Sequence, residues 1–187
     1  MNALIEHISQ YSRLSRSAKD TLSAVLQQKE ICKGDFLITE GKVCDHVHFI
    51  EQGCFRGFYN HDGKEISYWF AFENDFITSF YSFISRQPCV ENIQAIENCI
   101  TWALSHHDLQ TLYNKYPEVE RLGRLMNERY YMKLEERFVR NHFKEARERY
   151  DALLTHSPHI VQRVPLGYIA SYLGITQETL SRIRGKA

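Results

Sequence analysis

The spacing of apolar residues along the chain changes twice. Up to Gln28 it is helical, with Leu22, Val25 and Leu26 on one face of a segment that has neither proline nor glycine. Over 29–104 the apolar residues form short aromatic and β-branched runs, separated by turns that contain glycine. This pattern predicts strands over 36–38, 47–50, 54–59, 65–70, 90–96 and 99–104. From Ser105 the helical spacing returns.

Short strands joined by tight turns are typical of antiparallel β-structure. The Asn-His-Asp-Gly-Lys run at 60–64 has the composition of a hairpin turn. We therefore predict an α+β fold in which residues 1–116 form an antiparallel β-roll with flanking helices. The strand pattern itself suits an antiparallel sandwich or barrel, and the form we expect is a cupin-like roll, a double-stranded β-helix or jelly roll.

The last helical stretch has the pattern of a helix-turn-helix, the motif that places a short helix in the DNA major groove. Pro165 suits the first turn of its first helix, because proline lacks the N–H that is unpaired there. Ala170 stands where two crossing helices would touch, and Gly174 follows the last apolar residue, where a left-handed backbone is easiest for glycine. The apolar positions of this helix are Leu166, Ile169 and Leu173.

The second helix of this motif has one apolar and one polar face. Thr176 can cap it, and Leu180 and Ile183 face the first helix. The polar face carries amide, carboxylate, hydroxyl and guanidinium groups, the types that read base edges. The predicted DNA-binding residues are Thr176, Gln177, Glu178, Ser181, Arg182 and Arg184. An ordinary helical hairpin with a solvated face is the alternative.

A long helix is predicted from Pro117, because no further proline occurs before Pro158. Its apolar residues step by four along one face: Leu122, Met126, Tyr130, Leu134 and Phe138. This face either packs on the β-roll of its own chain or pairs with a second copy in a twofold dimer. We expect the dimer, because a palindromic operator needs two reading helices. A hinge expected at 140–142 divides a dimerisation helix, 117–141, from a DNA-binding domain, 142–187.

Charge supports this division weakly. The 187 residues have a formal net charge of zero, but from His142 onward seven Lys and Arg residues stand against four Asp and Glu residues. A basic C-terminal segment on an acidic body suits a DNA-reading domain. The basic residues are Lys144, Arg147, Arg149, Arg163, Arg182, Arg184 and Lys186.

Other classes of protein lack sequence support. There is no long apolar run and no secretory leader pattern, so neither a membrane span nor export is expected. The five cysteines are an odd number without a CxxC pair, which favours reduced thiols in the cytoplasm. His46 and His48 could face one side of a strand, but no third ligand is apparent, so no metal site is predicted. No catalytic motif occurs, and we expect no enzyme activity.

Three segments resemble the Crp/Fnr superfamily of bacterial transcription regulators. Residues 33–41 with 45–53 look like the opening strands of its cyclic-nucleotide-binding fold, 145–150 like the start of its DNA-binding domain, and 178–182 like its recognition helix. The pattern is most similar to short members from Bacteroidetes-type bacteria. The resemblance implies that Arg182 donates to guanine and Glu178 accepts from cytosine, with Ser181 and Gln177 helping.

The effector pocket departs from the family pattern. Relatives that bind cyclic AMP hold it with a Gly-Glu pair and an Arg-Ser or Arg-Thr pair, which fall here at Ile77-Thr78 and Cys89-Val90. Arg86 is the only nearby cation, so we expect weak cyclic-nucleotide binding or none. The aromatic residues at 68–83 either fill the roll or form a site for an apolar molecule. The candidate pocket residues are Tyr68, Phe70, Ile77, Thr78, Arg86, Cys89 and Val90.

The sequence therefore predicts a cytoplasmic, homodimeric, sequence-specific transcription regulator. Its expected partners are double-stranded DNA and a second copy of itself, with RNA polymerase and a small-molecule effector as further candidates. No cofactor and no membrane association are expected. The alternative function is a ligand-binding signalling module whose helical C-terminus contacts protein.

Overall fold

The computed structural model describes residues 2–185, which fold into N-terminal helices, a β-roll and C-terminal helices. The N-terminal helices are α1 (Asn2–Ser9) and α2 (Arg16–Val25). The strands are β1 (Gln27–Ile31), β2 (Phe36–Ile38), β3 (His46–Gln52), β4 (Phe55–His61), β5 (Lys64–Ala71), β6 (Phe76–Ile77), β7 (Asn92–Ala95) and β8 (Cys99–Ser105). The other helices are α3 (Phe80–Ser85), α4 (His106–Lys115), α5 (Pro117–Phe143), α6 (Ala146–His156), α7 (Ile160–Arg163), α8 (Leu166–Tyr172) and α9 (Gln177–Arg184).

The strands form two four-stranded antiparallel sheets. Their orders are β1-β8-β3-β6 and β2-β7-β4-β5, so β5 is an edge strand. The predicted hairpin joins β4 to β5, with positive φ at Asp62 and Gly63 as a two-residue turn requires. The predicted α+β class and antiparallel roll are confirmed. The sequence pattern missed β1 and β6, because the exposed, polar β1 reads as a continuation of α2 and β6 has only two residues.

Apolar residues fill two layers of this structure. The layer between the sheets includes Ile50, Phe55, Ile77, Phe83 and Ile93. The outer face of the first sheet is covered by α1, α2, α4 and the first half of α5. This outer layer includes Leu4, Ile8, Phe49, Leu112 and Leu122.

The predicted dimer stripe on α5 divides into two halves. Leu122 and Met126 pack into the outer layer of their own chain, and the Tyr130 ring stacks on Phe80 with centroids 3.9 Å apart. Leu134 and Phe138 lie further along the helix and are 41% and 56% exposed. α5 starts directly after α4, and its first half lies on the roll. The stripe therefore does not form one continuous surface for a second copy of the chain.

The break between α5 and α6 lies after the residues at which the hinge is expected. The backbone of α5 is helical through 140–142 and up to Phe143, and the break before α6 falls at Lys144 and Glu145. Glu145 and Glu148 then form a capping box that starts α6.

The C-terminal helices share an apolar layer with the β-roll. Tyr150, Ile160 and Leu180 of these helices pack in one cluster with Phe72 and Ile96 of the roll. The residues assigned to a separate DNA-binding domain are thus docked on the roll. None of the described helices is long and apolar enough to cross a membrane.

Candidate nucleic-acid interface and effector pocket

The turn between α8 and α9 is fixed by main-chain hydrogen bonds around Gly174. Ile175 N donates to the Ala170 carbonyl oxygen at 3.0 Å, and Gly174 N donates to that of Ser171 at 3.1 Å. This is a Schellman ending, which needs a left-handed residue at its centre, and Gly174 has a φ of +65°. The glycine at this position was predicted for that reason.

The start of α9 is capped as the sequence predicts. The Thr176 hydroxyl oxygen accepts a hydrogen bond from Thr179 N at 3.2 Å. A hydrogen bond with Thr176 lowers the pKa of Glu178, which also lies in the first turn, where the helix dipole favours an anion. Glu178 is therefore an ionised acceptor at neutral pH.

The two helices cross on small and apolar side chains, and their outer surface is polar. Ala170 and Leu180 are buried at this contact. All six predicted DNA-binding residues are exposed: Thr176, Gln177, Glu178, Ser181, Arg182 and Arg184. The structure thus presents one connected set of donors and acceptors on the first two turns of α9 and its cap.

Three of the basic C-terminal residues serve the protein itself. Arg147 donates to the Ile183 carbonyl oxygen at 3.0 Å, and Arg149 donates to that of Leu173 at 2.7 Å. Both guanidinium groups thereby satisfy carbonyl groups at the ends of α9 and α8. Arg163 is held by carboxylates of the roll. Lys186 lies outside the described residues, and among the described ones Arg182 and Arg184 are the exposed cations of α9 itself.

Arg163 connects the C-terminal helices to two loops of the roll. Its guanidinium makes two hydrogen bonds to the Glu73 carboxylate, at 2.7 and 2.8 Å, and a further one to Glu97. These bonds lower the pKa of Glu73 to about 2. We call Arg163, Glu73 and Glu97 the Arg163 clasp.

Arg56 of β4 makes a second connection. Its guanidinium lies 3.6 Å from the ring centroid of Tyr168 in α8 and 4.1 Å from that of Phe58, and the side chain is only 2% exposed. Gln94 and Glu65 accept its hydrogen bonds. Sequence reasoning missed this residue, and the available signal was a lone cation inside the apolar run 54–59.

The interior of the roll is filled by its own side chains. Trp69 lies against Gly57 on the neighbouring strand, where a Cβ atom would come within 2.2 Å of the indole ring. Tyr68 stacks on Tyr59 with centroids 4.5 Å apart, and its hydroxyl donates to the carboxylate of Glu91, which is 6% exposed. Burial and the Glu91 charge raise the pKa of the Tyr68 phenol, so it remains a neutral donor.

Residues 28–116 match the family model of the cyclic nucleotide-binding domain. The β-roll has the cyclic nucleotide-binding fold. No curated protein sequence matches the chain.

Solved structures extend the likeness through the C-terminal helices. FixK2 from Bradyrhizobium japonicum is 19% identical with a TM-score of 0.74, over 87% of this chain and 84% of FixK2. A variant of CooA from Carboxydothermus hydrogenoformans is 17% identical with a TM-score of 0.65, over 96% and 82%. The catabolite activator protein of Thermus thermophilus is 18% identical with a TM-score of 0.60, over 96% and 85%. All three are Crp/Fnr-type regulators, and at these identities the similarity establishes the fold.

The predicted effector residues do not form one pocket within this cyclic nucleotide-binding fold. Phe70 faces the C-terminal helices and packs on Tyr172, with ring centroids 5.6 Å apart, and Val90 is 60% exposed. Arg86 donates to the Cys44 carbonyl oxygen at 2.8 Å and to Asp45, so its charge is already paired. Phe70, Val90 and Arg86 therefore do not face one pocket in this structure, because Phe70 lies on the outward side of β5, Val90 precedes β7, and Arg86 turns back onto its own loop.

The remaining four residues are engaged by partners of their own chain. Ile77 and Cys89 are buried in the apolar layer, and Thr78 donates to the His46 carbonyl oxygen at 2.9 Å. Tyr68 is bonded to Glu91, as described above. Glu91, which follows the Cys89-Val90 pair, has a buried carboxylate. A buried carboxylate repels a phosphate and does not bind it.

The histidine pair considered as a metal site is arranged differently. His48 is buried, with Nδ1 3.1 Å from the Thr101 hydroxyl, and burial lowers its pKa to about 3. Its ring centroid is 6.0 Å from that of His46. In the described part of the chain, no three His, Cys, Asp or Glu side chains are grouped to hold a metal ion.

Proposed function

We propose that the protein is a sequence-specific DNA-binding transcription regulator of the Crp/Fnr type. The observation that carries the proposal is the exposed polar face of a capped α9, whose opposite face is buried against α8. A recognition helix needs this arrangement, with a fixed backbone and free donors and acceptors at its N-terminal end. The resemblance of 178–182 to the family's recognition helix supports it, as does the likeness of the whole chain to three regulators.

Each exposed side chain has a role that follows from its chemistry. Arg182 donates two hydrogen bonds to guanine, the ionised Glu178 accepts from cytosine, and Gln177 makes paired bonds to adenine. Thr176, Ser181 and Arg184 contact phosphates or assist their neighbours. At promoters that carry such sites, the partner of the bound regulator is RNA polymerase.

The regulator acts as a homodimer through the exposed half of α5. Tyr131, Leu134 and Phe138 lie at helical spacing on this half and are all more than a third exposed. A twofold dimer built on this face carries two copies of α9, which read half-sites about one helical turn apart.

Selection of bound sequences from a random DNA pool tests the DNA-binding proposal. We expect enrichment of two inverted half-sites by the full chain. Arg182→Ala should lose preference at one base pair of each half-site, at a cost of about 1–3 kcal/mol, because its guanidinium no longer bonds the base.

The matched control is Arg16→Ala, since Arg16 is a fully exposed arginine on α2, far along the chain from α9. It should leave the selected sequence unchanged. Absence of any enriched half-site, or the same base preference in Arg182→Ala as in the unaltered chain, contradicts the proposal.

We further propose that cyclic AMP and cyclic GMP are not effectors of this protein. Trp69 occupies the interior beside Gly57, and the Glu91 carboxylate is buried where a phosphate would need cations. Calorimetric titration with each nucleotide should therefore show no saturable heat. Binding in the micromolar range would show that the interior opens and that this part of the proposal is wrong.

A further inference from the structure

A large apolar cavity lies outside the β-roll. It has a volume of about 610 Å³, is partly open, and is lined by α1, α2, α3, α4, α5 and the outer face of the first sheet. This volume is within the range of small-molecule sites in proteins. Apolar side chains that line it include Leu4, Ile8, Phe49, Phe76, Leu104 and Met126.

The charged groups of this cavity are grouped on the side formed by α1, the turn before β6 and the middle of α5. Arg129 and Lys133 of α5 line it there, together with His7 and Asp75. Lys133 pairs with Asp75 at 3.3 Å. Glu73 also lines the cavity, but it is held in the Arg163 clasp. The charges that line this side therefore balance, with Arg129 and Lys133 against Glu73 and Asp75.

Arg129 is the cation available to a ligand. Within the described part of the chain it has no carboxylate partner, and its guanidinium lies 5.2 Å from the ring centroid of Tyr11. Burial lowers the pKa of the neighbouring His7, and the charge of Arg129 lowers it further. The imidazole is therefore neutral at physiological pH and can accept or donate a hydrogen bond without adding charge.

We propose that this cavity binds an anionic amphiphile of the fatty-acid class. The acyl chain lies among the apolar side chains, and the carboxylate bonds to the guanidinium of Arg129 beside Tyr11. An apolar body with a single anionic end matches a cavity whose lining is mainly apolar and whose α5 side carries Arg129. Arg129 is exposed to solvent, and a neutral ligand of the same length would lack the charge-assisted hydrogen bond to it.

Tryptophan fluorescence can test this proposal, because Trp102 lines the cavity whereas Trp69 lies inside the roll. Two variants, Trp69→Phe and Trp102→Phe, each retain one of the two tryptophans. We expect dodecanoate brominated on its chain to quench Trp102 saturably and to leave Trp69 unaffected. A quench of Trp69 alone, or no saturable quench of either, would overturn the proposal.

The headgroup contact is tested on the chain that retains Trp102. Arg129→Gln should weaken dodecanoate binding about tenfold, as expected for a lost charge-assisted hydrogen bond. Arg124→Gln, on the same helix but paired with Glu128, is the matched control and should bind as before. Dodecanol should bind weakly and equally to both variants.

Equal dodecanoate affinity of the Arg129→Gln and Arg124→Gln variants, with circular dichroism unchanged in both, would show that the carboxylate is not held by Arg129. If light scattering shows a dimer whose Trp102 is not quenched, the cavity is covered by the second copy, and the proposal is also wrong.

Discussion

At the scale of single residues, the turn between α8 and α9 depends on Gly174. Its φ of +65° lies in the left-handed region, and a Cβ atom there would meet nothing within 4 Å. The requirement for glycine is therefore a matter of backbone conformation and not of space. This is why the residue could be assigned from the sequence, where it directly follows the last apolar position of α8.

Gly174→Ala should lower the free energy of unfolding by about 1 kcal/mol, because alanine is strained at positive φ. Urea denaturation followed by circular dichroism measures the change. Gly185→Ala is the control, since Gly185 has a φ of −73° and its added Cβ would make only an ordinary 3.5 Å contact. Equal losses in the two variants would show that conformation at Gly174 is not what matters.

Other residues could not be assigned in this way. Arg56 reads as a solvent-facing cation in a strand, but Tyr168, far along the chain, covers its guanidinium. Arg147 and Arg149 count as basic surface in the sequence, yet they bond carbonyl groups at helix ends. The local sequence pattern predicts which face of its helix or strand a residue occupies. The group that the residue contacts belongs to a segment distant in the sequence, so the local pattern does not predict it.

At the scale of elements, the apolar stripe of α5 has two packing roles. The same four-residue step runs through both halves, so the sequence does not distinguish a face that packs on the roll from one that meets a second copy. The structure places Leu122 and Met126 in the first role and leaves Leu134 exposed. The strands were more predictable, because their alternation and their turn residues are local signals.

Replacing Leu134 and Tyr131 together by glutamate should convert the dimer to a monomer. Both side chains are exposed in the single chain, so the fold should survive, whereas a dimer interface would have to bury two carboxylates. Light scattering measures the mass, and circular dichroism checks the helix content. Thr111→Glu on the exposed face of α4 is the control and should not change the mass. A double variant with the mass of the unaltered chain would exclude this half of α5 from the interface.

At the scale of the whole molecule, the C-terminal helices are held on the roll by the Arg163 clasp and by the packing of Arg56 on Tyr168. An effector can move α9 relative to the roll only if it has different affinities for two arrangements of the protein. In one, the C-terminal helices are docked on the roll, and in the other they are released from it. Glu73 of the clasp also lines the cavity beside α5, so a ligand bound there would lie next to this contact.

The clasp should make stability depend on acid pH. The pKa of Glu73 is about 2 in the folded protein, below its ordinary value of 4.5, because Arg163 bonds the ionised carboxylate. The stabilisation is therefore fully present above pH 4.5 and is lost as the pH falls from 4.5 towards 2.

Urea denaturation at neutral pH and at about pH 3 measures this dependence. Glu73→Gln should be less stable than the unaltered chain at neutral pH, and the difference should shrink in acid. Glu128→Gln removes an exposed carboxylate that is paired with Arg124 and should change little at either pH. A gap between Glu73→Gln and the unaltered chain that stays constant with pH would contradict the role of the clasp.

Ser171 of α8 lies against the edge of β5. Its hydroxyl accepts a hydrogen bond from Ser67 N at 3.0 Å and donates one to the Glu65 carbonyl oxygen at 2.9 Å, so it occupies the main-chain groups that an additional strand would use. Without α8, this strand would present an open template to other chains. Release of α8 and α9 from the roll would therefore favour self-association through the edge of β5. A chain shortened before α8 should form strand-exchanged oligomers or fibres, unless another molecule covers the edge of β5.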